Sequence, residues 1–363
     1  MRLPCFALLF CTVSLSPVFG AIRWPEVTRQ PLERDAGAEA RGIAENLLLY
    51  QFPSGGWPKN IDMAAPLSAA QRAELEDRAH DDATIDNGAT TTQIRFLARI
   101  FVATEEPRFR AAAERGLDYL LAAQYPNGGW PQYFPLRRGY YRHITFNDDA
   151  MVNALEVLRD AAMGRAPFAW VDAPRREKAR AAVARGVDCI RQCQVVQDGK
   201  PTAWGAQHDE VTFAPAWARK FEPPSLAAAE SAGIVRFLMS LEHPSPEVVA
   251  AVEAAVSWFE RVKLTGLRWQ TIDAPAQPSG KDRVVVADEK APPLWARFYE
   301  LGSNRPIFIG RDAQIRYAVT EIEHERRNGY AWYGTEPAKV LKAHPAWRRR
   351  GSAGAHDANT RTP

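Results

Sequence analysis

The stretch His80–Gln93, HDDATIDNGATTTQ, sets Asp81, Asp82, Asp86 and Asn87 just ahead of an apolar helical pattern. A second group, Asn147-Asp148-Asp149, stands at the same point before another helix. Asp and Asn are ordinary helix caps, accepting hydrogen bonds from the first free amides. One such residue per helix is enough, and both clusters hold more. Crowded carboxylates repel unless a cation joins them. Oxygen donors with no Cys or His pattern suit Ca²⁺ better than Zn²⁺. Neither loop has EF-hand spacing, and both the capping and the calcium readings stay open on these residues alone.

Two further loops carry the cations. Thr202–Leu226, TAWGAQHDEVTFAPAWARKFEPPSL, holds His208, Asp209, Glu210, Arg219, Lys220 and Glu222. Trp295–Asp312, WARFYELGSNRPIFIGRD, holds Arg297, Arg305 and Arg311. A guanidinium grips a planar carboxylate through two parallel hydrogen bonds. Four arginines in two loops therefore point to an anionic ligand, with surface salt bridges as the alternative. Arg326 and Arg327 read as the solvated face of a late helix. The acids Asp209 and Glu210 keep glycoside hydrolysis open, since it needs only two carboxyl groups about 5 to 10 Å apart. No nucleophile elbow, phosphate loop, dinucleotide fingerprint or H-E-x-x-H motif is present.

These loops hang on a repeat. Asn46–Lys59, NLLLYQFPSGGWPK, aligns with Tyr119–Gln132, YLLAAQYPNGGWPQ, and more loosely with Gly186–Gly205. Each runs from a helical apolar stretch through a turn to a Trp: Trp57, Trp130 and Trp204. A fourth echo ends at Trp269. Between them lie Thr91–Ile100, Asp149–Arg159 and Ala228–Leu241, with apolar residues three and four apart, the helical period. No long run alternates as a strand-rich barrel would. A helix pair cannot bury its apolar face alone, so neighbouring pairs must stack. The expected fold is all-α, an α/α toroid with extra helices and long loops. Each Trp either plugs its own repeat or offers its indole to a polar groove at the open end, and the plug reading is weaker for Trp130 and Trp204 than for Trp57 and Trp269.

The chain has 363 residues, 46% hydrophobic and 25% charged, which excludes a disordered protein. Its 46 basic and 43 acidic residues leave a formal charge of +3, too balanced for a nucleic-acid binder. Met1–Gly20 has the Arg2 n-region, apolar core and small residues of a signal peptide cleaved before Ala21. Its apolar run is too short for a span of ~20 residues. Export to the periplasm or beyond follows, with no stable membrane association. Residues 21–345 are read as one catalytic domain, and 346–363 as a frayed tail. Cys189 and Cys193, one helical turn apart, read as core thiols rather than a strained bridge.

The stretches FPSGGWPKNIDMA, TIDNGATTTQIRFLARI, YPNGGWPQYFPLRRGYYRHITFNDDAMVN, TAWGAQHDEVTFAPAWARKFEPPSL and FYELGSNRPIFIGRDAQIRYAVTEIEHERRNGYAWYG resemble the family 10 polysaccharide lyases, secreted bacterial pectate lyases. Together they span Phe52–Gly334. The resemblance implies an (α/α)₃ toroid. It also implies β-elimination on the α-1,4 links of polygalacturonate, with Ca²⁺ at the active centre and 4,5-unsaturated products. By the same resemblance Asp86, Asn87 and Asp148 hold metal or metal and substrate. Arg219 falls on the catalytic base, and Arg305 on a substrate-binding arginine. Arg297 and Arg311 are further candidates for binding substrate. Trp130, Trp204 and His143 are further substrate-binding candidates, the two tryptophans as borders of sugar subsites; His143 and His208 are otherwise hydrogen-bonders behind the site or satisfied structural histidines. A monomer acting on pectate oligosaccharides and polymer is expected. The rivals are a hydrolase on the same toroid and a binding module without turnover.

Overall fold

The computed structural model describes the backbone of residues 22–359 and the side chains of residues 22–350. The signal-peptide stretch lies outside the described residues. The helices are α1 (Ala38–Tyr50), α2 (Ala69–Glu76), α3 (Thr91–Thr104), α4 (Pro107–Ala123), α5 (Ala150–Met163), α6 (Ala173–Cys193), α7 (Ala228–Met239), α8 (Pro246–Val262), α9 (His324–Asn328) and α10 (Glu336–Asn359). Three hairpins, α3–α4, α5–α6 and α7–α8, carry the fold, with α1 packed on α3 and α10 on α7. The first helix of each hairpin buries most of its surface; in α5, Met151, Ala154, Leu155, Val157 and Leu158 are all fully buried. The result is a mostly helical α/α toroid, as expected.

The repeat has a hydrogen-bonded logic. The indole N–H of Trp57 donates to the Leu47 carbonyl at 2.8 Å, that of Trp130 to Leu120 at 2.8 Å, and that of Trp204 to Ile190 at 2.7 Å. Each Trp therefore caps the C-terminal end of the helix before it. Trp57 and Trp130 also press on Gly116 and Gly186 of the next outer helix, where a Cβ would meet Ile94 at 2.5 Å and Leu155 at 2.5 Å. Gln51, Gln124 and Gln194 end α1, α4 and α6 and donate across to Ala112, Ala182 and Ala251 on α4, α6 and α8. Each glutamine amide reaches the second lone pair of a carbonyl inside the neighbouring helix. This ties the outer helices α1, α4, α6 and α8 in succession.

Several expectations change. Trp130 and Trp204 are fully buried plugs of the repeat, so they border no sugar subsite. The fourth member of the Trp series is Trp295, which donates to Phe259 on α8 at 2.9 Å. Trp269 instead lies in a hairpin, Leu267–Asp273 against Lys281–Ala287, inserted between α8 and Trp295. A four-stranded antiparallel sheet also forms, running from Ile315–Arg316 through Pro306–Ile309 and Phe298–Tyr299 to Leu226–Ala227. Helix α10 runs from Glu336 to Asn359. Cys189 and Cys193 are free, buried thiols. No helix among the described residues is long and apolar enough to cross a membrane.

Candidate functional site

The N-terminal ends of α3, α5 and α7 come together at one end of the toroid. The turn Asp86–Gly88 leads into α3 and packs against the turn Asn147–Asp149, which leads into α5; the start of α7 packs on the latter. Asn87 at φ 53°, Asp148 at φ 53° and Asp149 at φ 58° all adopt the left-handed conformation. Asn and Asp tolerate that conformation best among non-glycine residues. The acid-rich turns thus act less as side-chain caps than as sharp bends that hold polar groups over the helix ends.

Asp86 is buried, and its Oδ2 is ion-paired with Lys59. Its other oxygen, Oδ1, is buried with no partner. Burial disfavours the Lys59 ammonium, but the hydrogen bond and charge of Asp86, with Tyr133, together outweigh it and raise its pKa. Asn87 donates to Asn60 Oδ1 at 2.8 Å. Asp148 is exposed; its Oδ2 accepts from Asn147 at 2.7 Å, and its Oδ1 lies 3.7 Å from Arg297. Burial pushes the neighbouring Asp149 carboxyl up to about 6, against the pull of Arg236.

Arg297 joins these turns to the cationic loops. Its Nη2 donates to Asn147 at 3.1 Å and to the buried Glu230, in the first turn of α7, at 2.8 Å. Its guanidinium stacks 4.7 Å from the Tyr330 ring centre. The Tyr330 hydroxyl donates to Glu222 at 2.9 Å. Glu222 in turn holds Arg219 at Nε, 2.8 Å away, and again at Nη2. Contact is therefore continuous along Asp148, Arg297, Tyr330, Glu222 and Arg219. The hydrogen bond to Glu222 raises the Arg219 pKa above its already high value. Burial works against Glu222, yet Arg219 keeps it ionised below the usual range.

The other predicted residues are dispersed. Arg311 sits 4.9 Å from the Phe221 ring, the ring that Arg219 also approaches at 5.1 Å, and pairs with Glu325 at 2.7 Å. Arg305 is at the opposite end of that strand pair, stacked 3.6 Å from Tyr317, so Arg311 rather than Arg305 neighbours Arg219. The four-residue strand Pro306–Ile309 and Gly310 lie between them, six steps or about 20 Å of extended chain. His143 bonds Glu210 at 3.0 Å and, with Asp209, forms a cluster able to hold a metal. His208 is a satisfied structural histidine, donating from Nδ1 to Phe213 at 2.7 Å and accepting at Nε2 from Gly205 at 2.9 Å.

Arg326 and Arg327 do not form a solvated face. Arg326 is buried against the rings of Phe221 at 4.2 Å and Tyr330 at 4.0 Å, and Arg327 is buried on Asp282 at 2.7 Å. Burial lowers the Arg326 pKa. The sequence also gave no role to Lys59, Glu230 or Tyr330. Their nearest signal was position inside the stretches that carry the resemblance.

Residues 51–341 match the sequence profile of the pectic acid lyases. The chain belongs to that family. A solved mutant of a family 10 polysaccharide lyase from Cellvibrio cellulosa, in complex with trigalacturonic acid, is 34% identical, with a TM-score of 0.76 over 86% of this chain and 95% of that one. The family 10 polysaccharide lyase structure from the same organism is 34% identical at a TM-score of 0.76, covering 86% and 94%. No curated protein sequence matches. The chain is thus a pectate lyase.

In this pectate lyase the donor chemistry of the acidic turns fits a hard cation. Asp86 Oδ1, the Asn87 amide oxygen and the Asp148 carboxylate are all oxygen donors. A buried carboxylate oxygen without a partner is costly, and a cation would satisfy it. On the other side, Arg219, Arg297 and Arg311 present guanidinium groups suited to the carboxylates of a uronate chain.

Proposed function

We propose that this pectate lyase cleaves α-1,4-linked polygalacturonate by Ca²⁺-assisted β-elimination, with Arg219 as the base. The observation that carries this reading is the unbroken contact from Asp148 through Arg297, Tyr330 and Glu222 to Arg219. It couples the oxygen-donor turns to the one arginine that the family resemblance places on the base. Asp86, Asn87 and Asp148 would hold the calcium. Once bound, the ion supplies Lewis-acid withdrawal of charge from a uronate carboxylate, which acidifies the C5–H. Arg297 and Arg311 bind carboxylates and stabilise the enolate-like charge that develops. Arg219 takes the C5 proton. As a guanidinium above about 12 in free solution, and higher beside Glu222, it does so only from its small neutral fraction. Rate should therefore climb into alkaline pH. Loss of the C4 oxygen leaves a 4,5-unsaturated uronide.

Met1–Gly20 supports export to the periplasm or outside the cell, where pectate is met. Saturated products from a hydrolase remain the alternative chemistry. Ultraviolet absorbance of conjugated uronide, measured on polygalacturonate at alkaline pH with Ca²⁺ and with chelator, tests the proposal. A rise that chelation stops is expected. Reducing ends without absorbance would overturn it. Arg219→Lys should cut kcat by about a thousandfold or more with the fold intact.

A further inference from the structure

We propose that Tyr140, Tyr141 and Arg138 form a further uronate subsite beside Arg219, at least one sugar removed from the bond that is cut. The subsite rests on the lyase reading above. It is built on the loop after Trp130, which is pinned along its length. Gln132 N donates to Tyr141 O at 2.9 Å, Phe134 N to Ala83 O at 3.2 Å, and the Tyr125 hydroxyl to Arg142 O at 2.7 Å. Arg142 and His143 both bind Glu210, at 2.6 Å and 3.0 Å, which ties this loop to the one that carries Arg219.

On that frame the tyrosines form a continuous wall. Tyr133 meets Tyr141 edge-on at 5.2 Å, and Tyr141 meets Tyr140 at 4.2 Å. At one end, Tyr133 faces Lys59, the partner of Asp86, at 5.7 Å. At the other end, the Arg142 and His143 contacts with Glu210 fasten the wall's loop to the segment that carries Arg219 and Glu222. The wall thus runs between the two halves of the candidate site. Tyr140 and Tyr141 remain partly exposed. A tyrosine held this way offers an apolar ring face and a hydrogen-bonding tip at little further loss of rotamer freedom, which suits a sugar ring.

The charges on the loop then select a uronate. Arg137 is already neutralised by Asp82 while it lies 4.0 Å over Tyr133. Arg138, next to it, is exposed, and its side chain makes no hydrogen bond or ion pair among the described residues. It precedes Gly139 at φ 82°, the turn that swings the chain back to Tyr140. Most arginines around the site are spent on carboxylates of the protein itself. An unpaired guanidinium at the edge of an aromatic wall is matched by a carboxylate on a further sugar of the chain.

Initial rates on trigalacturonate and hexagalacturonate, for wild type and Arg138→Ala, test this. The variant should lose about tenfold or more in kcat/KM on the hexamer, mainly through KM, and much less on the trimer. Arg138→Lys should recover part of the loss. Equal losses on the two substrates, or none on the hexamer, overturn the subsite. A wild type that makes no unsaturated product from either substrate sinks the lyase reading instead. Retardation in polygalacturonate gels then decides the subsite, which predicts weaker retardation for Arg138→Ala and falls if both proteins run alike.

Discussion

Glu222 grips the Arg219 guanidinium at two points from three residues along the same turn. The pair holds Arg219 in place and also holds it charged, and these effects oppose each other in a base. Replacing the carboxylate by an amide keeps the shape and removes the charge that raises the Arg219 pKa. The neutral fraction at a given pH then rises. For Glu222→Gln, the rising limb of kcat/KM against pH should move to lower pH by about one unit, even if the maximum falls. A limb that stays where it is in wild type would show that Arg219 does not set the rate.

Trp130 provides a test of burial against sugar contact. Its indole N–H is satisfied by Leu120 at 2.8 Å, and the side chain is fully enclosed. Trp130→Phe should cost about 1–3 kcal/mol of stability through the lost hydrogen bond and the space left behind. KM for polygalacturonate should not change. A raised KM with an unchanged denaturation midpoint would mean that the indole meets substrate after all.

The toroid was readable because its repeat is local. The helix period, the turn and the Trp all fall within short windows, so the spacing of Trp57, Trp130 and Trp204 exposed the hairpins. Trp295 escaped because the strands Leu267–Asp273 and Lys281–Ala287 separate it from α8. The acidic turns were readable for the same local reason, being an excess of carboxylates beyond what capping needs. The function of Glu222 and Tyr330 was not, since they meet across 108 residues of sequence. Arg326 and Arg327 looked solvent-facing because local pattern cannot reveal that Phe221 and Asp282 arrive from elsewhere to cover them. Trp130 and Trp204 misled because a turn Trp can face either the groove or its own repeat, and only the carbonyl it reaches decides between them.

His208 should make the fold sensitive to acid. Its Nδ1–H donates to Phe213 and its Nε2 accepts from Gly205, so the neutral ring satisfies both contacts. A second proton would face the Gly205 N–H, and burial already lowers the pKa from 6.5 to about 4. Between those values the unfolded chain binds the extra proton and the folded one does not. The stabilisation is full above about pH 6.5 and is lost as pH falls toward 4, by about 3 kcal/mol. Asp149, raised from 3.8 to about 6 by burial, works in the opposite sense over part of that window. The difference between wild type and His208→Asn isolates the histidine. Denaturant midpoints should converge as pH falls from 7 to 4, and a constant gap would refute the assignment.

Lys59 and Asp86 make opposite predictions for calcium. Asp86 has one oxygen on Lys59 and the other buried without a partner. If that oxygen is a calcium ligand, the Lys59 ammonium competes for the charge of the same carboxylate. Asp86→Asn removes the anion and leaves the ammonium, so calcium affinity should fall by about a hundredfold or more. Lys59→Met keeps the carboxylate and removes its competitor, so affinity should rise, by about tenfold. Calorimetric titration with Ca²⁺ alone reads both variants without relying on turnover, which matters because Lys59 also lies near the aromatic wall at Tyr133. A fall in affinity for both would mean that Lys59 supports the site by holding Asp86 in position. No change in either would place the ion away from Asp86 and remove the acidic turn before α3 from the metal site.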